Sequence, residues 1–513
     1  MMKHLFAVAA VCTALTGTAQ KKADPQTFAR SITPTDLKNH LNVIASAEME
    51  GRDTPSPGLE KAADYITAHF KKLGLKPGNN GGFRQTYQLS KDSLAVLNVT
   101  INEMRFEGVD DIAPIWTSDD QLNLNYSEYA FAGYGIVDQN RDDYAGLDVK
   151  GKLVVIIAGS PKGFTPSVQG RLASTTLTSK IRNALAKGAG AIFIATQEIP
   201  SRSKLKVHYR PEWEKEAPGK AAPVFYISAN VVEKVSGHSY EEVKAALDNG
   251  ETTPGINQAT LTLNYLLQKD RATASNVLGV IEGTDKKEEY LFITAHYDHV
   301  GKDAKGNIYY GADDDGSGTV SVLEMAEAFA LAKKAGKGPR RTVVFMTVSG
   351  EEKGLWGSEY YSENPIYPLD KTTADLNIDM IGRIDTERMS ADTLNYVYVI
   401  GHDKLSTDLP VINEGMNNKY TKLVLDYKFD DPNDTERIYY RSDHYNFARK
   451  GVPILFFYDG MLKADYHKPT DTIDKINFPL MAKRAQMIFY TAWEMANRDA
   501  MLKRDLKLPE QAY

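Results

Sequence analysis

Apolar residues in the second half of this 513-residue chain gather into four short, nearly continuous runs, at 289–294, 341–348, 374–382 and 452–458. Runs of that length and composition read as strands buried on both faces, as in sheets covered by helices. Between the runs the spacing becomes helical. Val320, Leu323, Ala326 and Phe329 recur at three-residue steps, which predicts a helix over 317–335 packed against the sheet. A second long covering helix is predicted over 480–502. Apolar segments at 98–102, 129–135, 188–194 and 276–281, with a helical stretch at 177–187, continue the alternation upstream. No internal repeat or low-complexity tract interrupts it. The expected class is α/β, a mixed, mostly parallel β-sheet sandwiched by helices and interrupted by one smaller inserted module.

Polar chemistry concentrates where the runs end. The first run leads into His296-Tyr-Asp298-His299, and a loop then presents Asp313, Asp314 and Asp315 before Gly-Ser-Gly. The second ends at Glu351-Glu352, the third carries Asp379, and the fourth leads to Tyr466-His467 and Asp471. In open α/β sheets, sites form outside the carboxyl ends of the strands. Each piece alone has an ordinary reading. His296 and Asp298 could be a surface hydrogen-bonded pair, the acid triplet a turn or a helix N-cap, and the two glutamates a solvated charge pair. Asp379 alone would be a paired acid and His467 a loop residue. All of them in this order at strand ends favour a metal site, because imidazole and carboxylate donors suit a zinc-like ion and carboxylates can bridge two.

Composition narrows the setting. Hydrophobic residues at 42% and charged residues at 25% are ordinary for a globular protein, and the length allows two or three domains. A net charge of −6 without a basic cluster gives no reason to invoke nucleic acid. The start Met-Met-Lys3-His4, an apolar run over 5–15 and small residues to Ala19 have the layout of a cleavable secretory signal, too short for a stable membrane span. Cleavage is expected after Ala19, with export to the periplasm or the exterior. Cys12, the only cysteine, lies inside that segment, so the mature chain carries no disulfide and relies on its core and its metals. No other segment reads as membrane-spanning.

The motifs HYDHVG, GADDDGSG, SGEEKGLWGS, NIDMIG, SDHYNF and YHKPTDT closely resemble the co-catalytic dizinc aminopeptidases, metallopeptidase family twenty-eight, relatives of glutamate carboxypeptidase and the transferrin receptor. The likeness extends to 44–52, with its Glu50-Gly51-Arg52, and to 61–77, and so covers most of the mature chain. It implies the zinc-exopeptidase fold, two Zn2+ per chain and peptide substrates. It also implies the metal ligands His296, Asp314, Glu352, Asp379 and His467. Asp314 would bridge, His296 and Asp379 would complete one site, and Glu352 and His467 the other. Glu351 would be the general base, and Asp298 would orient the His296 imidazole. A tyrosine that polarises the substrate carbonyl would be Tyr466 or Tyr439, and Ser442 would lie near the site. The bond between Asp314 and Asp315 would be cis. The middle of the chain resembles a protease-associated domain, which divides it into a signal peptide (1–19), an N-terminal part of the peptidase domain (20–121), the insert (122–250) and the main zinc peptidase domain (251–513). Within the insert, 202–216 reads as a charged, exposed loop, and His208 as solvated.

Three functions fit these expectations to different degrees. The first is a secreted exopeptidase, an aminopeptidase removing N-terminal residues. The second is a carboxypeptidase or a one-zinc glutaminyl cyclase on the same scaffold; five ligands plus Glu351 favour two metals and hydrolysis. The third is a receptor-like binding protein, against which every ligand position is intact. Arg383 and Arg441 are the arginines placed to meet a substrate carboxylate if the enzyme acts on C-termini. The cleaved residue and the oligomeric state are left open by the sequence.

Overall fold

The computed structural model describes residues 24–204, 207–213, 222–390, 392–431 and 433–508. The expected signal segment 1–19, with Cys12, lies outside the described residues. The four apolar runs fold as the strands Lys286–His296, Arg341–Val348, Thr372–Ile378 and Ile454–Tyr458. They are parallel neighbours in one sheet, with Lys286–His296 between Arg341–Val348 and Thr372–Ile378, and Ile454–Tyr458 beyond the latter. Antiparallel strands extend both sides, Gly255–Ile281 against Arg341–Val348 and Tyr396–Ile400 against Ile454–Tyr458. The architecture is α/β, a mixed and mostly parallel sheet between helices. Every residue of Arg341–Val348 is buried, because both faces are covered.

One face packs against the helices Pro34–Ile44, Pro57–Leu73, Gly316–Lys334 and Phe478–Asn497. The other meets Trp356–Glu363 and His444–Ala448, where Tyr361 and Phe447 stack at 5.7 Å over Phe292. The helix expected over 317–335 forms, but not as a surface helix with a single apolar stripe. Ser317, Thr319, Ser321 and Glu324 are buried along with its apolar residues, since the two N-terminal helices cover its outer side. Its hydroxyls turn back to carbonyls: Ser317 Oγ donates to Asp313 O (2.9 Å), Thr319 Oγ1 to His296 O (2.7 Å) and Ser321 Oγ to Ser317 O (2.7 Å). The C-terminal helix stops at Asn497, short of the expected 502. There the buried Arg341 guanidinium takes the carbonyls of Met495 and Arg498, at 2.9 and 2.7 Å.

A second core lies in the middle of the chain, on strands shared with the first. Arg84–Ile101 and Gly255–Ile281, 18 and 27 residues long, pair from Arg84 opposite Val277 to Ile101 opposite Leu261. Their near ends carry Leu89 and Ala274 into the first core, and their far ends carry Leu97, Val99, Leu261 and Leu263 into the second. A register shift at Leu266/Leu267 marks the change; such a bulge bends and twists a ladder locally. The parallel strands Gln121–Phe131, Leu153–Ile157, Ala191–Ala195 and Val224–Ile227 continue the sheet into this module. Its core therefore takes in residues on both sides of 122–250. The stretch expected as an exposed loop at 202–216 instead contributes a strand, Val207–Pro211, paired with Arg84–Ile101. Arg210 holds it by its ion pair with Asp92 at 2.5 Å, and His208 lies within it. Among the described residues no helix is long and apolar enough to cross a membrane.

Candidate metal centre

His296 is the last residue of its strand, and Arg52 holds the chain that follows. This fully buried guanidinium donates from Nε to Tyr297 O (2.7 Å), from Nη1 to Ile44 O (2.7 Å) and Tyr310 O (2.8 Å), and from Nη2 to Gly311 O (2.9 Å). One arginine thus ties the His296 loop to the acid loop. The three acids have three tasks. Asp313 Oδ1 accepts from Gly382 N (2.8 Å), and Asp315 caps the helix Gly316–Lys334 by accepting from Gly318 N (2.8 Å) and also takes Met380 N (3.0 Å). Asp314 alone is left facing the centre. Its own N–H donates to Asp471 Oδ2 (3.2 Å), as does that of Asp313 (3.0 Å). Burial lifts the Asp471 carboxyl to about 6. The peptide bond between Asp314 and Asp315 is cis.

Asp314 divides its two oxygens between two groups. His296 Nε2 lies 3.3 Å from Asp314 Oδ1, 3.5 Å from Asp379 Oδ1 and 3.9 Å from Glu351 Oε2. His467 Nε2 lies 3.1 Å from Asp314 Oδ2 and 2.9 Å from Glu352 Oε2. All five expected ligands converge, with Glu351 beside them. A sixth side chain had no role in the sequence reading: His299 Nδ1 is 2.9 Å from Glu352 Oε1 and 3.7 Å from Asp314 Oδ2. The signal for it was the second histidine of His296-Tyr-Asp298-His299, three residues past the strand end.

These residues fit a metal. His296 Nε2, His299 Nδ1, Asp314 Oδ2 and Glu352 Oε1 are buried and make no hydrogen bond, although buried polar atoms are ordinarily satisfied. His296, Glu351 and Asp379 form one group compact enough to hold an ion, and His299, Asp314 and Glu352 another. Protons stand in for cations electrostatically. Burial works against the charged form of His467, but the Asp314 and Glu352 carboxylates raise it to about 9. Burial, the neighbouring Glu352 and Asp379 push Glu351 well above the usual carboxylate range against the pull of His296, so Glu351 readily takes a proton. A third cluster, His402, Asp403 and Asp430, already holds a cation: Lys404 Nζ sits 2.7 Å from Asp403 Oδ1 and 2.6 Å from Asp430 Oδ1.

The supporting residues sort themselves. His296 Nδ1 meets the backbone carbonyl of Asp298 at 3.1 Å, closer than that residue's carboxylate at 3.6 Å. The carboxylate instead accepts from Glu351 N (3.3 Å) and from Thr54 Oγ1 (3.1 Å), linking the histidine loop to the glutamate loop. Tyr466 stacks on His467 at 3.8 Å and borders the cleft beside Asp314, Glu351 and Asp379; its hydroxyl accepts from Arg441 Nη2 at 3.3 Å. Tyr439 lines a different hollow, with Lys404 and Phe429. Ser442 Oγ accepts from Asn377 Nδ2 (2.8 Å) beneath the strand ends. Arg383 is engaged by Asp465 at 2.8 Å, while Arg441 lines the cleft.

Residues 276–492 match peptidase family M28. A probable leucine aminopeptidase of Trichophyton verrucosum is 31% identical over 228 residues, which cover 43% of this chain and 57% of that protein. The chain thus spans little more than half the length of that relative. An aminopeptidase from Aneurinibacillus sp. strain AM-1 aligns in three dimensions over 95% of this chain and 99% of its own, with a TM-score of 0.58 at 19% identity. A zinc aminopeptidase from Bacillus subtilis aligns over 93% and 99%, with a TM-score of 0.57 at 20% identity. These likenesses establish a shared fold across nearly the whole chain.

Proposed function

We propose that this chain, whose residues 276–492 match peptidase family M28, is an exported two-zinc exopeptidase that releases N-terminal residues from peptides. One observation carries the reading: the Asp314 carboxylate is split between two sets of imidazole and carboxylate donors, among which His296 Nε2, Asp314 Oδ2 and Glu352 Oε1 are buried without a hydrogen bond. His296 and Asp379 would hold one ion, Glu352 and His467 the other, and Asp314 both. Zinc bound there supplies Lewis acidity, polarising the scissile carbonyl and acidifying a water.

The chain's own groups do the rest. Glu351 stands beside both sets, takes the proton of the attacking water and returns it to the leaving amine. Its place is kept by Asp298, which accepts the Glu351 N–H while its backbone carbonyl orients His296. Tyr466, rather than Tyr439, is the hydroxyl at hand for the substrate carbonyl, steadied by Arg441. The middle module, read as a protease-associated domain, docks its turn Gly170–Leu172 on Thr435 in the loop that leads to Arg441. The leader at 1–19 would direct export.

Hydrolysis of aminoacyl anilides compared with N-blocked peptides, with and without a chelator, tests this. Free-amine substrates should be cut by protein holding two zinc ions per chain, and chelation should stop it. C-terminal shortening of blocked peptides, with anilides untouched, would sink the aminopeptidase reading in favour of a carboxypeptidase. One zinc per chain with no hydrolysis would point to a cyclase.

A further inference from the structure

The cleft beside the ligand sets has acids on one side, Asp314, Glu351 and Asp379, and a cation on the other, Arg441. Neighbouring arginines have found close partners within the fold. Arg52 binds four carbonyls, Arg383 pairs with Asp465 at 2.8 Å, and Arg484 takes the carbonyls of Tyr396, Ile381 and Arg383 at 2.7–2.8 Å. Arg441 has not. Its contacts are the Tyr466 hydroxyl at 3.3 Å, the Glu436 carbonyl at 3.5 Å and the Glu436 carboxylate only at 4.0 Å. A guanidinium carries five N–H donors in a fork that matches a carboxylate, and here most of that fork is unspent while the side chain keeps 15% of its surface open.

A second guanidinium reaches the same place from the middle module. Arg171 lies in the turn Gly170–Leu172, whose backbone is docked on the loop leading to Arg441. Arg171 N donates to Thr435 O at 3.3 Å, and a Cβ on Gly170 would come within 2.9 Å of that carbonyl. The Arg171 side chain is exposed and makes no hydrogen bond or ion pair with the described residues. It stands near enough to Arg441, Tyr466, Glu436 and Glu351 to feel the charge of each. A charge-assisted fork is the strongest way to hold a carboxylate.

We propose that Arg441, with Arg171 beside it, binds a carboxylate of the substrate within one residue of the scissile bond, so that the enzyme selects acidic or very short peptides. The carboxylate comes either from the side chain of an N-terminal aspartate or glutamate, or from the C-terminus of a dipeptide. The proposal rests on the peptidase reading above.

Zinc-loaded full-length protein is assayed in two arms: glutamyl- and aspartyl-anilide against leucyl-anilide, and Leu-Leu against Leu-Leu-amide. In at least one arm the carboxylate-bearing substrate should have the higher kcat/KM by tenfold or more. Arg171→Gln and Arg441→Gln should each lower that ratio at least fivefold, with Arg441→Lys restoring part of it. The ratio is read within one preparation, so a general loss of active protein does not move it, and Arg171 lies on an exposed turn where substitution leaves the fold intact. Neutral substrates cleaved as well as their acidic counterparts in both arms, or a preference indifferent to both arginines, would overturn this proposal alone. No cleavage of any of these substrates would overturn the peptidase reading and this proposal with it.

Discussion

At Asp314 each carboxylate oxygen faces a different imidazole, so under the two-zinc proposal one substitution would remove a donor from both metals. Asp314→Ala should leave the protein with little zinc after dialysis against buffer. Glu351→Gln should retain its zinc and lose turnover by about 10²–10⁴-fold; metal analysis beside anilide turnover checks both. A variant of Glu351 that sheds its metal would make that residue a ligand. His444 predicts a pH dependence. Its Nε2 donates to Tyr439 O at 2.8 Å inside a fully buried pocket, and burial drives its pKa down to about 3. Between there and the unfolded value near 6.5, the unfolded chain binds a proton that the native chain refuses. Stability is therefore whole above about pH 6.5 and falls as pH drops, by up to about 1.4 kcal/mol per pH unit from this residue. Denaturant titrations at pH 7 and 5 should show the drop, and His444→Phe should flatten it. Ligands that end apolar runs were legible in the sequence, because a strand end announces its direction. Arg52, Asp471 and His299 were not: the first two act on backbone groups that only the folded loops bring near, and the third meets Glu352 from another strand.

The helix Gly316–Lys334 and the strand Thr372–Ile378 meet where Gly318 faces both the Asp315 carboxylate and the Ile378 carbonyl. A Cβ there would lie 2.4 Å from the carboxylate and 2.5 Å from the carbonyl, both far inside contact distance. Gly318→Ala should push the start of the helix off the sheet, cost on the order of 1–3 kcal/mol and weaken zinc binding through the attached Asp314. A lower Tm with unchanged zinc affinity would detach the helix start from the metal loop. At this scale the sequence read well where spacing alone decides, as for the four buried strands and the long helices. It was silent on the outer face of Gly316–Lys334, since what covers that face comes from 34–73, far away in the chain. The strand Val207–Pro211 was hidden for a similar reason: its partner lies more than a hundred residues upstream.

Taken whole, the molecule gathers five carboxylates, from Asp298 to Asp379, around three imidazoles at the end of one sheet, an arrangement that repels itself without cations. Zinc bound only by the native state stabilises it by mass action, about 2.7 kcal/mol at a hundredfold excess over Kd. Removing zinc with a chelator should lower Tm by a few degrees and its return should restore it; a Tm indifferent to both would mean that the acids are neutralised in another way. The two cores joined by a common sheet were only half legible, because a composition change marks a module while shared strands carry no such mark. Those strands also set how the chain enters and leaves the module. It departs along Arg84–Ile101 and comes home along Gly255–Ile281 as direct ladder partners, Ile101 opposite Leu261 and Leu94 opposite Leu267. A hairpin turn at the bulge would keep the pairs between these two strands below it, but it would strip Val207–Pro211 from its ladder with Leu89–Ser93. The module is thus held at two places, by the pair of strands it shares and by Val207–Pro211 laid back along Arg84–Ile101.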